Sequence, residues 1–152
     1  MKTINDWFHE YEASHKHPIN CLIHIVAVPA IMLSALGLLW SLPFPNFAHP
    51  LMNWASVVVC GVLIFAMRLS WRLALGLSVA TSINLLLLWW LSVLTSHFTF
   101  LMGALFSVAW IFQFFGHHIE GKKPSFIHDL HFLVISPMWL IAKLYRKANI
   151  SW

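Results

Sequence analysis

The chain has 152 residues, of which 60% are hydrophobic and only 9% charged, with a mean hydropathy of +0.77. An ordinary soluble domain gives about a quarter of its residues to charge, so this composition argues against a water-soluble globule and predicts an integral membrane protein. The formal net charge of +4 comes with no basic run and no aromatic platform, which removes nucleic acid as a partner and leaves Lys and Arg as reporters of topology.

Residues 1–17 are polar, but Trp7, Phe8 and Tyr11 are spaced to form a short amphipathic helix at the membrane interface. Asp6, Glu10 and Glu12 precede any apolar run, so no cleavable signal is expected. Pro18 is predicted to open a helix, since proline is accepted at the first helical position and disfavoured inside. The apolar runs 22–42, 51–67, 73–94 and 98–115 follow, and the first is long enough for a hydrocarbon core of about 30 Å. All four are predicted to span. Pro29 should kink the first span and free the carbonyl of Ile25, and Pro43, Pro45 and Pro50 mark an uncharged loop. Arg68 and Arg72 end the second span, while Trp89 and Trp90 anchor the far end of the third. Thr81, Ser82 and Asn84 inside the third are expected to bond between helices. Cys21 and Cys60 have no metal-type spacing and are expected as small core residues rather than a disulfide.

With a cytoplasmic N-terminus, Lys2 and Lys16, then Arg68 and Arg72, then Lys122 and Lys123 all fall inside, and the loops at 43–50 and 95–97 carry no Lys or Arg. A crossing by the last apolar run, 126–142, would put Lys143, Arg146 and Lys147 outside. That run also holds His128, Asp129, His131 and Pro137, so it is predicted to dip into the cytoplasmic side and return, with a fifth crossing as the alternative. The predicted fold is an all-α helical bundle, one membrane domain over residues 1–152, with four transmembrane helices and a C-terminal re-entrant or fifth helix.

This topology brings eight of the ten histidines, His9, His15, His17, His24, His117, His118, His128 and His131, to the cytoplasmic end. His49 and His97 fall at the other. A lone histidine in a span is usually a satisfied core residue, but a cluster near the bilayer points to function, and imidazole is the commonest metal ligand. Gln113, His117 and Glu120 lie at i, i+4 and i+7 on one face of the fourth helix. Asn20 and His24 lie at i, i+4 at the start of the first, just after His15. Packed together, the two helix ends offer three imidazoles and a carboxylate, a set that suits Fe(II) or zinc. His128 and His131 at i, i+3 read as support for the ligands, or as a second site. His9 and His17 read as interfacial polar residues. Lys122 and Lys123 read as topology signals placed where an acidic headgroup would arrive. Three other readings stay open: haem held between His24 and His117, a transporter, and a non-enzymatic metal-binding scaffold.

Two blocks resemble a known family. The first is Tyr11, then His15-Lys-His-Pro18-Ile-Asn20-Cys-Leu-Ile-His24 and on to Pro29. The second is Trp110-Ile-Phe-Gln113-Phe-Phe-Gly116-His117, followed by Glu120 and Pro124. Both are similar to blocks of the fungal-type 2-hydroxy fatty acid dioxygenases and their small bacterial relatives, and the likeness extends from Tyr11 to Pro137. The resemblance implies an Fe(II)-dependent membrane oxygenase of fatty acid α-oxidation, which uses dioxygen to convert a long-chain 2-hydroxy fatty acid to an acid one carbon shorter. It implies the bacterial inner membrane, or the endoplasmic reticulum in a eukaryote. His15, Asn20, His24, Gln113 and His117 match the family pattern position by position. The spacing from His117 to Glu120 is one residue shorter than in fungal members, which leaves His118 as an alternative ligand to Glu120.

Overall fold

The computed structural model describes residues 2–45, 52–124 and 130–152. Within them the chain is all helical: α1 (Ile4–Glu12), α2 (Pro18–Trp40), α3 (Trp54–Leu69), α4 (Trp71–Leu94), α5 (Phe98–Glu120) and α6 (Phe132–Lys147). Local chemistry sets the helix starts. Thr3 and Asp6 form a reciprocal capping box on α1, which satisfies two backbone N–H groups that no helical carbonyl can reach. Pro18 occupies the first turn of α2, as predicted, and Asn53 caps α3 by accepting from the Ser56 N–H.

Three helices, α2, α4 and α5, are long and apolar enough to cross a membrane. Their outward faces carry exposed Val26, Val79, Phe100 and Ile111, so the bundle presents apolar side chains on its outside as well as its inside. The second predicted span forms α3, which has 16 residues and is about 24 Å long at 1.5 Å per residue. The fourth predicted span does not stop at residue 115, because α5 runs on to Glu120 and ends only where Gly121 turns left-handed at φ 70°. Gln113, His117 and Glu120 thus share one helix, as their spacing predicts. Part of the run 126–142 lies outside the described residues; the rest belongs to α6, which extends to Lys147 and is not among the three bilayer-length helices. Cys60 is exposed on α3 and only Cys21 is partly buried, and both are free. The expectation of core packing thus fails for Cys60, which sits on an outward helix face.

The antiparallel pair α2 and α5 forms the spine. Small residues let the two helices approach closely: a Cβ at Gly37 would overlap Met102, and one at Gly116 would lie 2.5 Å from Asn20 Oδ1. Buried apolar residues form two clusters. One joins Trp7, Phe8 and Tyr11 of α1 to Ala66, Leu73, Leu77 and to Phe132, Ile135, Met138 and Trp139 of α6. The other joins Leu36, Ala55, Val59, Leu88, Phe98 and Met102 at the opposite end. The apolar face predicted to lie on the membrane interface is therefore buried against α6. Trp139 Nε1 donates to Glu12 Oε1 at 2.9 Å and fixes the end of α1.

Candidate metal centre

Where α1 ends, α2 begins and α5 finishes, three histidines converge. The ring centroids of His15 and His24 are 4.4 Å apart, those of His15 and His117 5.0 Å, and those of His24 and His117 4.9 Å. All three are buried, and one nitrogen from each lies within 4.8 Å of the others. Among the described residues no other His, Cys, Asp and Glu side chains form such a group.

Each ring is oriented from behind. His15 Nδ1 donates to the Tyr11 carbonyl at 2.6 Å, and the Tyr11 ring stacks on it at 3.8 Å. His24 Nδ1 donates to the Asn20 carbonyl at 2.8 Å, one helical turn back. With the Nδ1 proton used in both rings, both Nε2 atoms are left as acceptors, and they face one another at 3.0 Å. Two lone pairs at that distance repel unless a cation or a proton lies between them. Protonation is disfavoured at His15, because burial, with His24 beside it, lowers its pKa to about 3. His117 Nδ1 is buried with no hydrogen-bond partner. Neutral imidazoles held by backbone carbonyls, with lone pairs turned inward, are the donor set of a transition-metal site. These residues fit a bound metal ion.

Gln113, one turn before His117, donates from Nε2 to His24 Nε2 at 2.7 Å. That bond uses the single Nε2 lone pair of His24, which a bound metal would claim instead, and Gln113 Oε1 is buried without a partner. Gln113 lines an apolar cavity of about 430 Å³ that runs among α2, α3, α4, α5 and α6. Ser136 of α6 lines it too; its hydroxyl donates to the Phe132 carbonyl at 2.6 Å. Burial raises the pKa of the Tyr11 hydroxyl, against a smaller lowering by Ser136.

The carboxylate has a different position. Glu120 accepts from the Lys16 N–H at 2.9 Å, from the His17 N–H at 2.8 Å and from Asn20 Nδ2 at 3.1 Å. It thus caps the start of α2 from the end of α5, with the free N–H groups of a helix N-terminus as its partners. It is not one of the converging donors, and His118 is exposed. His17 accepts from the Ile19 N–H at 3.3 Å as the N-cap of α2. His131 is exposed, with its ring 5.4 Å from Trp7 and 5.3 Å from Phe65, and His128 lies outside the described residues. Lys122 is exposed and donates to the Ala13 carbonyl at 2.7 Å; Lys123 is also exposed. Arg72 is held by Ser151. Tyr11 orients His15 and Trp139 braces α1; the sequence placed Tyr11 on an interfacial helix and at the head of the first block without giving it this task, and gave Trp139 none. Tyr11 lies four residues before His15, the one local spacing that pointed to it.

The fold and site define a small helical protein with three bilayer-length helices and a buried three-histidine centre able to hold a metal. The chain belongs to the Mpo1-like family, described as 2-hydroxy-palmitic acid dioxygenase Mpo1-like, whose model matches residues 1–148. It is 31% identical over 143 residues to the 2-hydroxy-palmitic acid dioxygenase MPO1 of Saccharomyces cerevisiae, an alignment that covers 90% of this chain and 76% of that one. No solved structure matches it.

Proposed function

We propose that this protein is a membrane-embedded, non-haem Fe(II) dioxygenase that converts long-chain 2-hydroxy fatty acids to acids one carbon shorter. The observation that carries the reading is the inward-facing pair of His15 and His24 Nε2 atoms at 3.0 Å, joined by buried His117, in a chain similar to an enzyme of that name. Rings packed this closely favour one small ion over a haem plane between His24 and His117.

His15, His24 and His117 would hold the iron, leaving positions for other ligands. When bound, it would supply the means of activating dioxygen, which is the oxidant in breaking the C1–C2 bond. The protein's own part is positional. Tyr11 and Asn20 carbonyls keep the imidazoles in the ligating tautomer, Glu120 locks α2 to α5, and burial of the trio keeps water away. Asn20 and Gln113 therefore act around the ligands, while Lys122 and Lys123 remain at the surface as topology signals. The positive-inside pattern supports a cytoplasmic N-terminus and a centre on that side of a bacterial inner membrane.

Anaerobic loading with Fe(II), followed by 2-hydroxyhexadecanoic acid and air, should produce pentadecanoic acid by mass spectrometry. Stoichiometric iron with no shortened acid would overturn the reaction while leaving the site.

A further inference from the structure

The apolar cavity beside the histidines has a direction. Along α2 it is lined by Val28, Ile31, Met32, Ala35, Leu36 and Leu39, a single stripe of i, i+3, i+4 spacing. α5 supplies Phe106, Trp110 and Gln113 at i, i+4 and i+7, so the polar Gln113 stands at the histidine end. Among the described residues, the hydroxyls on the wall are those of Thr81 and Ser136, and both are turned onto their own helix backbones, Thr81 to the Leu77 carbonyl at 2.9 Å and Ser136 to the Phe132 carbonyl at 2.6 Å. The chamber is therefore apolar along its length, with one unpartnered buried acceptor, Gln113 Oε1, at its head. Its volume of about 430 Å³ lies within the range of small-molecule sites, about 300–1,000 Å³.

We infer that this chamber takes the acyl chain of the substrate proposed above, head first, with the 2-hydroxyl donating to Gln113 Oε1 beside the histidines and the methyl end reaching Leu39. The inference rests on that reading for the identity of the head group. From Val28 to Leu39, the α2 residues that line it, the helix axis advances about 16 Å at 1.5 Å per residue. Carbon–carbon bonds of about 1.5 Å at tetrahedral angles advance about 1.25 Å per carbon, so the chamber accommodates roughly 13 carbons. Ala35 lies one turn short of the end. A large side chain there removes about 6 Å, or roughly four to five carbons.

The test is a chain-length series of 2-hydroxy acids, from 10 to 20 carbons, assayed both for direct binding by titration calorimetry and for turnover. The protein is purified in detergent and loaded with Fe(II), and iron content is measured on every sample. Ala35→Phe should move the optimum down by about four carbons, and Leu39→Ala should move it up, with iron content unchanged in both. Two opposed variants keep the test open if one fails to fold. Iron-replete variants with the wild-type length profile, or with an equal loss at all lengths, would overturn the chamber. Length-dependent binding without turnover would overturn the proposed reaction and leave the chamber standing.

Discussion

His117 and Glu120 are three residues apart on α5, yet they face different tasks, one turned into the histidine centre and the other onto the backbone N–H groups of Lys16 and His17. Substitution should separate them. His24→Ala and His117→Ala are each expected to abolish bound iron, measured by elemental analysis, and His118→Ala is expected to retain it. Glu120→Ala should retain most of the iron but lose about 1–3 kcal/mol of stability, because charge-assisted bonds to a helix start are lost. Loss of iron equal to that of His117→Ala would make the carboxylate a ligand after all. Gln113→Leu conserves bulk but removes a free acceptor at the cavity head. It should narrow the preference for 2-hydroxy over unsubstituted acids by about 1–3 kcal/mol, read as a ratio of kcat/KM values.

Close approach of α2 and α5 sets the distance between His24 and His117. Gly116 makes that approach possible, since a Cβ there would lie 2.5 Å from Asn20 Oδ1, whereas one at Gly103 meets nothing within 4 Å. Gly116→Ala should therefore cost about 1–3 kcal/mol and weaken iron binding, with Gly103→Ala as the silent control in the same thermal melts. At this scale the sequence was informative wherever hydropathy decides. Pro18 as the start of α2, α4 as a long apolar helix and the run up to residue 115 were all legible. The i, i+4, i+7 spacing of Gln113, His117 and Glu120 put the last turn of α5 on one helix face, but it did not show which groups on α2 that turn would meet. The role of Glu120 was hidden for the same reason, its acceptor sites being filled by N–H groups about a hundred residues away. The cavity left no trace either, since Val28, Leu36 and Leu77, which line it, have the same chemistry as residues that face outward.

Across the whole molecule, the proposed ligands come from the α1–α2 turn, from α2 and from α5, so one ion would hold three parts of the chain together. Chelation should lower the melting temperature by the linkage between binding and folding. It should also raise amide exchange first in α1, which reaches the centre only through Tyr11 and His15. Unchanged exchange in α1 after iron removal would show that Trp139 and the α6 packing hold it unaided.

The order of these three contributors along the polypeptide has a consequence for its synthesis. His15 and His24 emerge from the ribosome early, and His117 follows roughly ninety residues later, about 5–20 s at ordinary elongation rates. For that interval the N-terminal pair lacks its third imidazole, and the start of α2 lacks the carboxylate that seals it. On the proposed reading, iron capture is thus a late event in biogenesis, and it can serve as a checkpoint that the second and fifth helices of the chain have met.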